Sequence, residues 1–296
     1  MSITYFTSIF FLYKDICLFI NKNCQIVVLI KDWYNTFLTM MALGLSAEEV
    51  NVLLVDAHPQ GGLDEVWHSL FNEFVRVGNR SALAEPLLVR ELVWVPAGYN
   101  SPLIEFSRDR VPLLAHWRRF FLARHGLAAD EGPERPHCAN LSVLFVWRRD
   151  YLAHPRNPSG HVNRKIANEA ELMATARREL LPSARVRGEQ LDALPMREQL
   201  RLVHDTDVLV GMHGAGLSHT LFLPRRAALI EFYPTYWSPD NAHFRKMAEW
   251  RGLHYARWVN NDQHLEQNRE SSTIPPEVFL ALLRNVLTKM GCRRPA

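Results

Sequence analysis

The feature that most constrains this chain is the alternation of short apolar runs with amphipathic stretches along most of its 296 residues. NVLLVDAHP (51–59) is an apolar run closed by polar residues and proline, the form of a buried parallel strand that ends in a loop. LVRELVWVPAGYNSP (88–102) predicts a second strand and turn. Helices are expected over LDEVWHSLFNEFVRV (63–77) and RVPLLAHWRRFFLARHGL (110–127), the latter with aromatic and aliphatic residues on one face and arginines on the other. AADEGPERPHCAN (128–140) is polar and proline-containing, and reads as an interdomain linker.

A second alternation follows. It runs through the strand LSVLFVWRRD, a helix capped by Asn168, the edge strand SARVRGEQL and the helix MREQLRLVHDT. The strand DVLVG, a glycine turn, the strand AALIEFYP, the helix NAHFRKMAEWRG, the strand HYARWV and the closing helix PPEVFLALLRNVLTKM complete it. Strand and helix in turn at short spacing predict parallel sheets covered on both faces. The expected organisation is an N-terminal segment (1–31), a first α/β domain (32–127), the linker (128–140) and a second α/β domain with its closing helix (141–296).

Composition narrows the class. With 48% hydrophobic and 22% charged residues the chain is globular in type. Its 34 basic and 31 acidic side chains give a net charge of +3, with no long basic block, so nucleic acid is not an expected partner. Cys17, Cys24, Cys138 and Cys292 lack zinc-site spacing, and whether Cys138 pairs with Cys292 is left open. The apolar N-terminus is interrupted at Lys14, Asp15 and Asn21 to Asn23, whereas a spanning helix needs roughly 20 nearly uninterrupted apolar residues. Sequons begin at Asn79 and Asn140, which matter only in a secretory lumen.

The candidate site is GMHGAGLSH (211–219), between an apolar strand and a short helix expected from near Leu217. Gly211, Gly214 and Gly216 let the backbone turn sharply and approach an anion, towards which a helix N-terminus points its free N–H groups. The spacing is neither that of a dinucleotide fold nor that of a P-loop, so a phosphate cradle and a plain corner both remain open. His213 lies inside the turn, and His219 lies further along the helix. Arg148 follows a strand end and Arg164 precedes a helix, where guanidinium forks suit a diphosphate. Glu231 closes the next strand, where it can accept from ribose hydroxyls or stand as a plain strand-end acid. Asp205 and Asp207 resemble a metal-binding Asp-x-Asp, but their place between a helix and a strand favours a turn residue and a strand-start residue.

The run MREQLRLVHDTDVLVGMHGAGLSHTLFLPRRAALIEFY (196–233), with Arg148 and RKIANE (164–169), resembles the core of glycosyltransferase family 61. The resemblance implies a GT-B fold: two Rossmann-like domains with parallel sheets facing a cleft. It implies an inverting transfer from a UDP-sugar with no obligatory metal and no cofactor besides the donor. By position Arg148, Arg164, His213, Gly214, Ala215 and Gly216 would cradle the diphosphate, with Glu231 near the ribose. DWYN (32–35) resembles the end of the family's first motif, making Asp32 the leading candidate for the general base, followed by Asp56 and His58. The resemblance makes residues 32–127 the acceptor-side domain and 141–296 the nucleotide-sugar-binding domain; residues 1–31 have no counterpart in that pattern, so the acceptor-side domain reads as incomplete. The expected sugar is N-acetylglucosamine, with xylose or arabinose as alternatives, and the acceptor is a glycoprotein or polysaccharide hydroxyl. A catalytically impaired, UDP-binding or lectin-like remnant is the alternative. The expected location is the lumen of the endoplasmic reticulum or Golgi, with membrane anchoring through the N-terminus left open.

Overall fold

The computed structural model describes residues 5–6, 9–13, 26–55, 61–76, 88–89, 91–98, 100–128, 136–151 and 159–292. The chain forms two compact units. The first comprises residues 1–105, 111–127 and 152–159, and the second residues 106–110, 128–151 and 160–296.

The first unit holds a four-stranded parallel sheet of β1 (Ile9–Tyr13), β2 (Asn51–Val55), β3 (Glu73–Arg76) and β4 (Leu92–Val95), in the order β3-β2-β1-β4. Its helices are α1 (Ile26–Ala42), α2 (Asp64–Leu70) and α3 (Leu114–Arg124). Aromatic rings join all three, with Trp33 6.1 Å from Trp67 and 5.6 Å from Phe121 between ring centroids. One sequence expectation is corrected here. The helix expected over 63–77 ends at Leu70, and its second half is β3. Pairing of β3 with β2 satisfies that backbone, Phe74 stacks on Trp67 at 5.7 Å, and Arg76 bridges back to Asp64 at 2.6 Å. Tertiary partners thus override a pattern that is helical only locally. α1, for its part, runs unbroken through residue 31, so residues 26–31 belong to the same element as Asp32.

The main sheet of the second unit is five-stranded and wholly parallel, formed by β5 (Ser142–Val146), β6 (Arg185–Glu189), β7 (Val208–Met212), β8 (Ala228–Tyr233) and β9 (His254–Val259). The order is β9-β8-β7-β5-β6. Every residue of β5, β7 and β8 is buried, which is why these strands read as unbroken apolar runs, whereas β6 and β9 lie at the edges and are partly exposed. The helices are α4 (Glu169–Glu179), α5 (Met196–His204), α6 (His243–Arg251) and α7 (Pro276–Lys289). Phe145, Val210, Ile230 and Phe232 form one core with Leu172 of α4 and Phe279 and Leu283 of α7. Alternate strand residues point to the opposite face, where Leu217 comes up against Gly211.

Asn168 does not cap α4 through its side chain. Its amide is used for a longer reach, accepting from Ile274 N at 3.0 Å and donating to Ile274 O at 2.9 Å. A disulfide joins Cys138, just ahead of β5, to Cys292, just after α7, and closes the unit upon itself. Among the described residues no helix is long and apolar enough to cross a membrane.

Candidate functional site

In an open parallel sheet ligands bind beyond the carboxyl ends of the strands, at the point where strand order reverses. Here β5 is followed by β6 on one side and β7 on the other, so the reversal lies between β5 and β7. Arg148 follows β5, and the turn His213-Gly214 follows β7. The residues singled out from sequence therefore converge because the strand order brings their loops together.

The turn is tight for a reason other than backbone handedness. Gly214 has an extended φ of 174°, which any residue adopts. What it lacks is room: a Cβ there would stand 3.0 Å from Arg148 Cζ and closer still to Nη1. Gly216 is similarly confined, since its Cβ would meet Val146 Cγ1 at 2.8 Å. The helix behind the turn starts at Ala215, two residues earlier than expected, and is a 3-10 helix running to Phe222.

Two guanidiniums meet at this turn. Arg148 donates through Nε to the carbonyl of Asn163 at 2.9 Å, and Arg164 donates through Nη1 to the carbonyl of His213 at 2.7 Å. Arg164 also lies over the Trp237 ring at 4.4 Å. Its backbone is left-handed (φ 62°), a conformation that costs a non-glycine residue about 1–3 kcal/mol. Burial, and then the neighbouring Arg148, pull the Arg164 guanidinium down to about 9; burial lowers Arg148 as well. Neither forms an ion pair among the described residues, and Asp192, an acid near Arg148, accepts from the Tyr151 hydroxyl. Among the described residues these two half-buried, mutually repelling cations have no ion-paired carboxylate, an arrangement whose charge a bound anion would neutralise.

His213 is 3% exposed and Glu231 0%, and His213 Nδ1 lies 2.6 Å from Glu231 Oε1. Tyr233, Phe244 and Trp237 surround the imidazole at 4.8, 4.9 and 5.6 Å. Burial holds the ring below the ordinary histidine range, against the pull of Glu231. His219 lies deeper, with Nδ1 2.9 Å from the carbonyl of Gly216, and burial pushes it down to about 4. It braces the glycine loop from behind.

The family model for glycosyltransferase 61 matches residues 33–230, which includes β5, β7 and the turn between β7 and the 3-10 helix. The chain belongs to glycosyltransferase family 61. Curated relatives include the EGF domain-specific O-linked N-acetylglucosamine transferase of Mus musculus, 40% identical over 80% of this chain and 43% of that protein. The beta-1,2-xylosyltransferase RCN11 of Oryza sativa subsp. japonica is 28% identical over 76% of this chain and 45% of its own. The beta-1,2-xylosyltransferase of Arabidopsis thaliana is 26% identical over 89% and 53%. The chain thus spans about half the length of the curated relatives it matches. A solved structure of a probable two-component response regulator and GGDEF domain protein superposes with a TM-score of 0.32 at 12% identity over 96% of this chain and 99% of its own, too weak to bear on fold or function.

For this family 61 chain the geometry brings together Arg148, Arg164, His213, Gly214, Ala215 and Gly216. It places the other expected site residues differently. Glu231 is fully buried, with Oε1 against His213 and Oε2 accepting from the Tyr255 hydroxyl at 2.7 Å. Asp32 lies inside α1 with 0% exposure and accepts from Gly98 N at 2.5 Å. A general base must reach the hydroxyl it deprotonates, and this carboxylate instead pins the Gly98 turn. Asp56 and His58 fall outside the described residues. Asp207 is a structural residue as read: Oδ2 accepts from Ser142 N and Oδ1 from Arg226, at 2.9 and 2.8 Å. Sequence reasoning missed Trp237 and Tyr255. The first had a signal in its place just after a strand end, and the second had none, because its role depends on strand register.

Proposed function

We propose that this chain is the donor-binding and catalytic part of an inverting, metal-independent glycosyltransferase of GT-B type. The donor is a UDP-sugar, and the acceptor is a hydroxyl of a glycoprotein or polysaccharide. The observation that carries this reading is the Arg148 and Arg164 pair at the sheet's reversal point, half-buried and in no ion pair among the described residues. Fixed cations aimed at a departing diphosphate stabilise the charge that develops as the glycosidic bond breaks, the task a metal performs elsewhere. The names of the relatives support N-acetylglucosamine first and xylose second as the sugar. The Cys138–Cys292 disulfide supports an oxidising compartment such as the lumen of the endoplasmic reticulum or Golgi.

The acceptor hydroxyl needs a base, for which Asp56 and His58 remain the candidates on the acceptor side. The enclosure of Asp32 favours a second reading, a UDP-binding protein with impaired transfer. A panel of UDP-sugars assayed for UDP release separates the two. Release that disappears in Arg148→Ala and Arg164→Ala supports the transferase. Full release in both variants overturns the diphosphate assignment, and UDP-dependent stabilisation without release supports the impaired protein.

A further inference from the structure

The Tyr255 hydroxyl donates to Glu231 Oε2 at 2.7 Å, and Glu231 Oε1 lies 2.6 Å from His213 Nδ1. The register of the parallel strands permits this chain: Glu231 sits beside Gly211 on β7 and Arg257 on β9, within one pleat of Tyr255. A carboxylate at Nδ1 makes that nitrogen the proton donor, so in the neutral ring Nε2 is a bare lone pair. A lone pair offers nothing to a phosphate oxygen. Nε2 becomes a donor only when the ring gains a second proton.

The charge around the ring decides when that happens. Facing it are Glu231 and Tyr233 of β8, Tyr255 of β9 through Glu231, Arg148 after β5 and Arg164 ahead of α4. Trp237, in the loop after β8, and Phe244 of α6 supply apolar walls. With the site empty of anion, burial and the two guanidiniums oppose a further positive charge, and Glu231 alone favours it. A bound diphosphate neutralises the guanidiniums and, by accepting from Nε2, joins Glu231 in favouring the second proton.

We propose that Glu231 and Tyr255 are positioning residues acting through His213, and that His213 takes one proton from solvent onto Nε2 as a diphosphate occupies the arginine pair. The imidazolium, braced by Glu231, then donates to a diphosphate oxygen, and the proton returns to solvent when the diphosphate leaves. This rests on the diphosphate reading above.

The test is calorimetric titration of the full chain with UDP-N-acetylglucosamine and with UDP-xylose at pH 7.5, in two buffers of different protonation enthalpy. The diphosphate of a UDP-sugar is a diester with no proton to exchange near neutrality, so dependence on buffer reads protons taken up by the protein. The expected result is net uptake approaching one proton for the unaltered protein and none for His213→Gln. Glu231→Gln is expected to reduce uptake and weaken binding by about tenfold or more, because a hydrogen bond to a charged group is lost. Tyr255→Phe, which keeps its ring in place, moves both quantities in the same direction and carries the test where Glu231→Gln does not fold. Binding without proton uptake, or unchanged uptake in both positioning variants, overturns the proposal while leaving the diphosphate reading intact. A folded protein that binds neither donor overturns both.

Discussion

Gly214 and Arg148 share one space: the guanidinium lies where a side chain on Gly214 would begin, with Cζ 3.0 Å from that position. The obstacle is the far end of a flexible side chain, and the Gly214 backbone is extended, so the fold tolerates a methyl group by moving Arg148. Gly214→Ala is therefore expected to change stability by less than about 1 kcal/mol and to weaken UDP-sugar binding by about tenfold or more. Thermal unfolding and donor titration on the same sample check this. Unchanged affinity would show that Arg148 does not touch the donor.

Gly188 offers the opposite case. A Cβ there would overlap the Trp147 indole, standing 2.6 Å from Cζ2, and Trp147 is stacked on Phe145 at 5.0 Å inside the core. The ring has no exposed route of retreat. Gly188→Ala is expected to cost about 1–3 kcal/mol by overpacking, measured by urea unfolding. A loss under about 0.5 kcal/mol would mean that β6 shifts outward as an edge strand can.

His219 ties stability to pH. Its folded value is lowered by burial to about 4, against an ordinary value of 6.5. The unfolded ring therefore binds a proton as pH falls below 6.5 while the buried ring stays neutral until about 4. Its contribution is complete above 6.5 and is lost as pH falls through the window down to 4. Compared with His219→Gln, the unaltered protein should lose about 1 kcal/mol more per pH unit within that window. Denaturant unfolding at pH 7 and pH 5 measures it, and parallel losses in the two proteins would refute the assignment.

The Cys138–Cys292 bridge closes a loop across 154 positions and ties the residues beyond α7 to the entrance of β5. Constraint of so long a loop in the unfolded chain is worth about 2–5 kcal/mol. Reduction with dithiothreitol should lower the melting temperature of the protein and leave that of a Cys138→Ser, Cys292→Ser variant unchanged. An equal response in both would place the effect elsewhere.

Much of the second unit is legible in its sequence because its central strands are buried on both faces. DVLVG and AALIEF are apolar without interruption, and short crossovers between such runs leave few arrangements besides a parallel sheet. Arg148 and Arg164 were legible for a related reason, since each stands where an apolar run ends or a helix starts. Residues 63–77 misled because a stretch with helical periodicity ends in four residues whose hydrogen bonds go to a neighbouring strand.

Residue type and spacing alone determined the α/β class with parallel sheets, the family and the cations at the turn, because hydrophobic period and strand-end position are local properties. Only the tertiary structure decided what the acids do. Glu231 and Asp32 are carboxylates near a site in the sequence, yet one is enclosed between His213 and Tyr255 and the other against Gly98. Whether a carboxylate meets a substrate or a neighbouring side chain depends on strand register and helix burial, which are set by contacts between residues far apart along the chain.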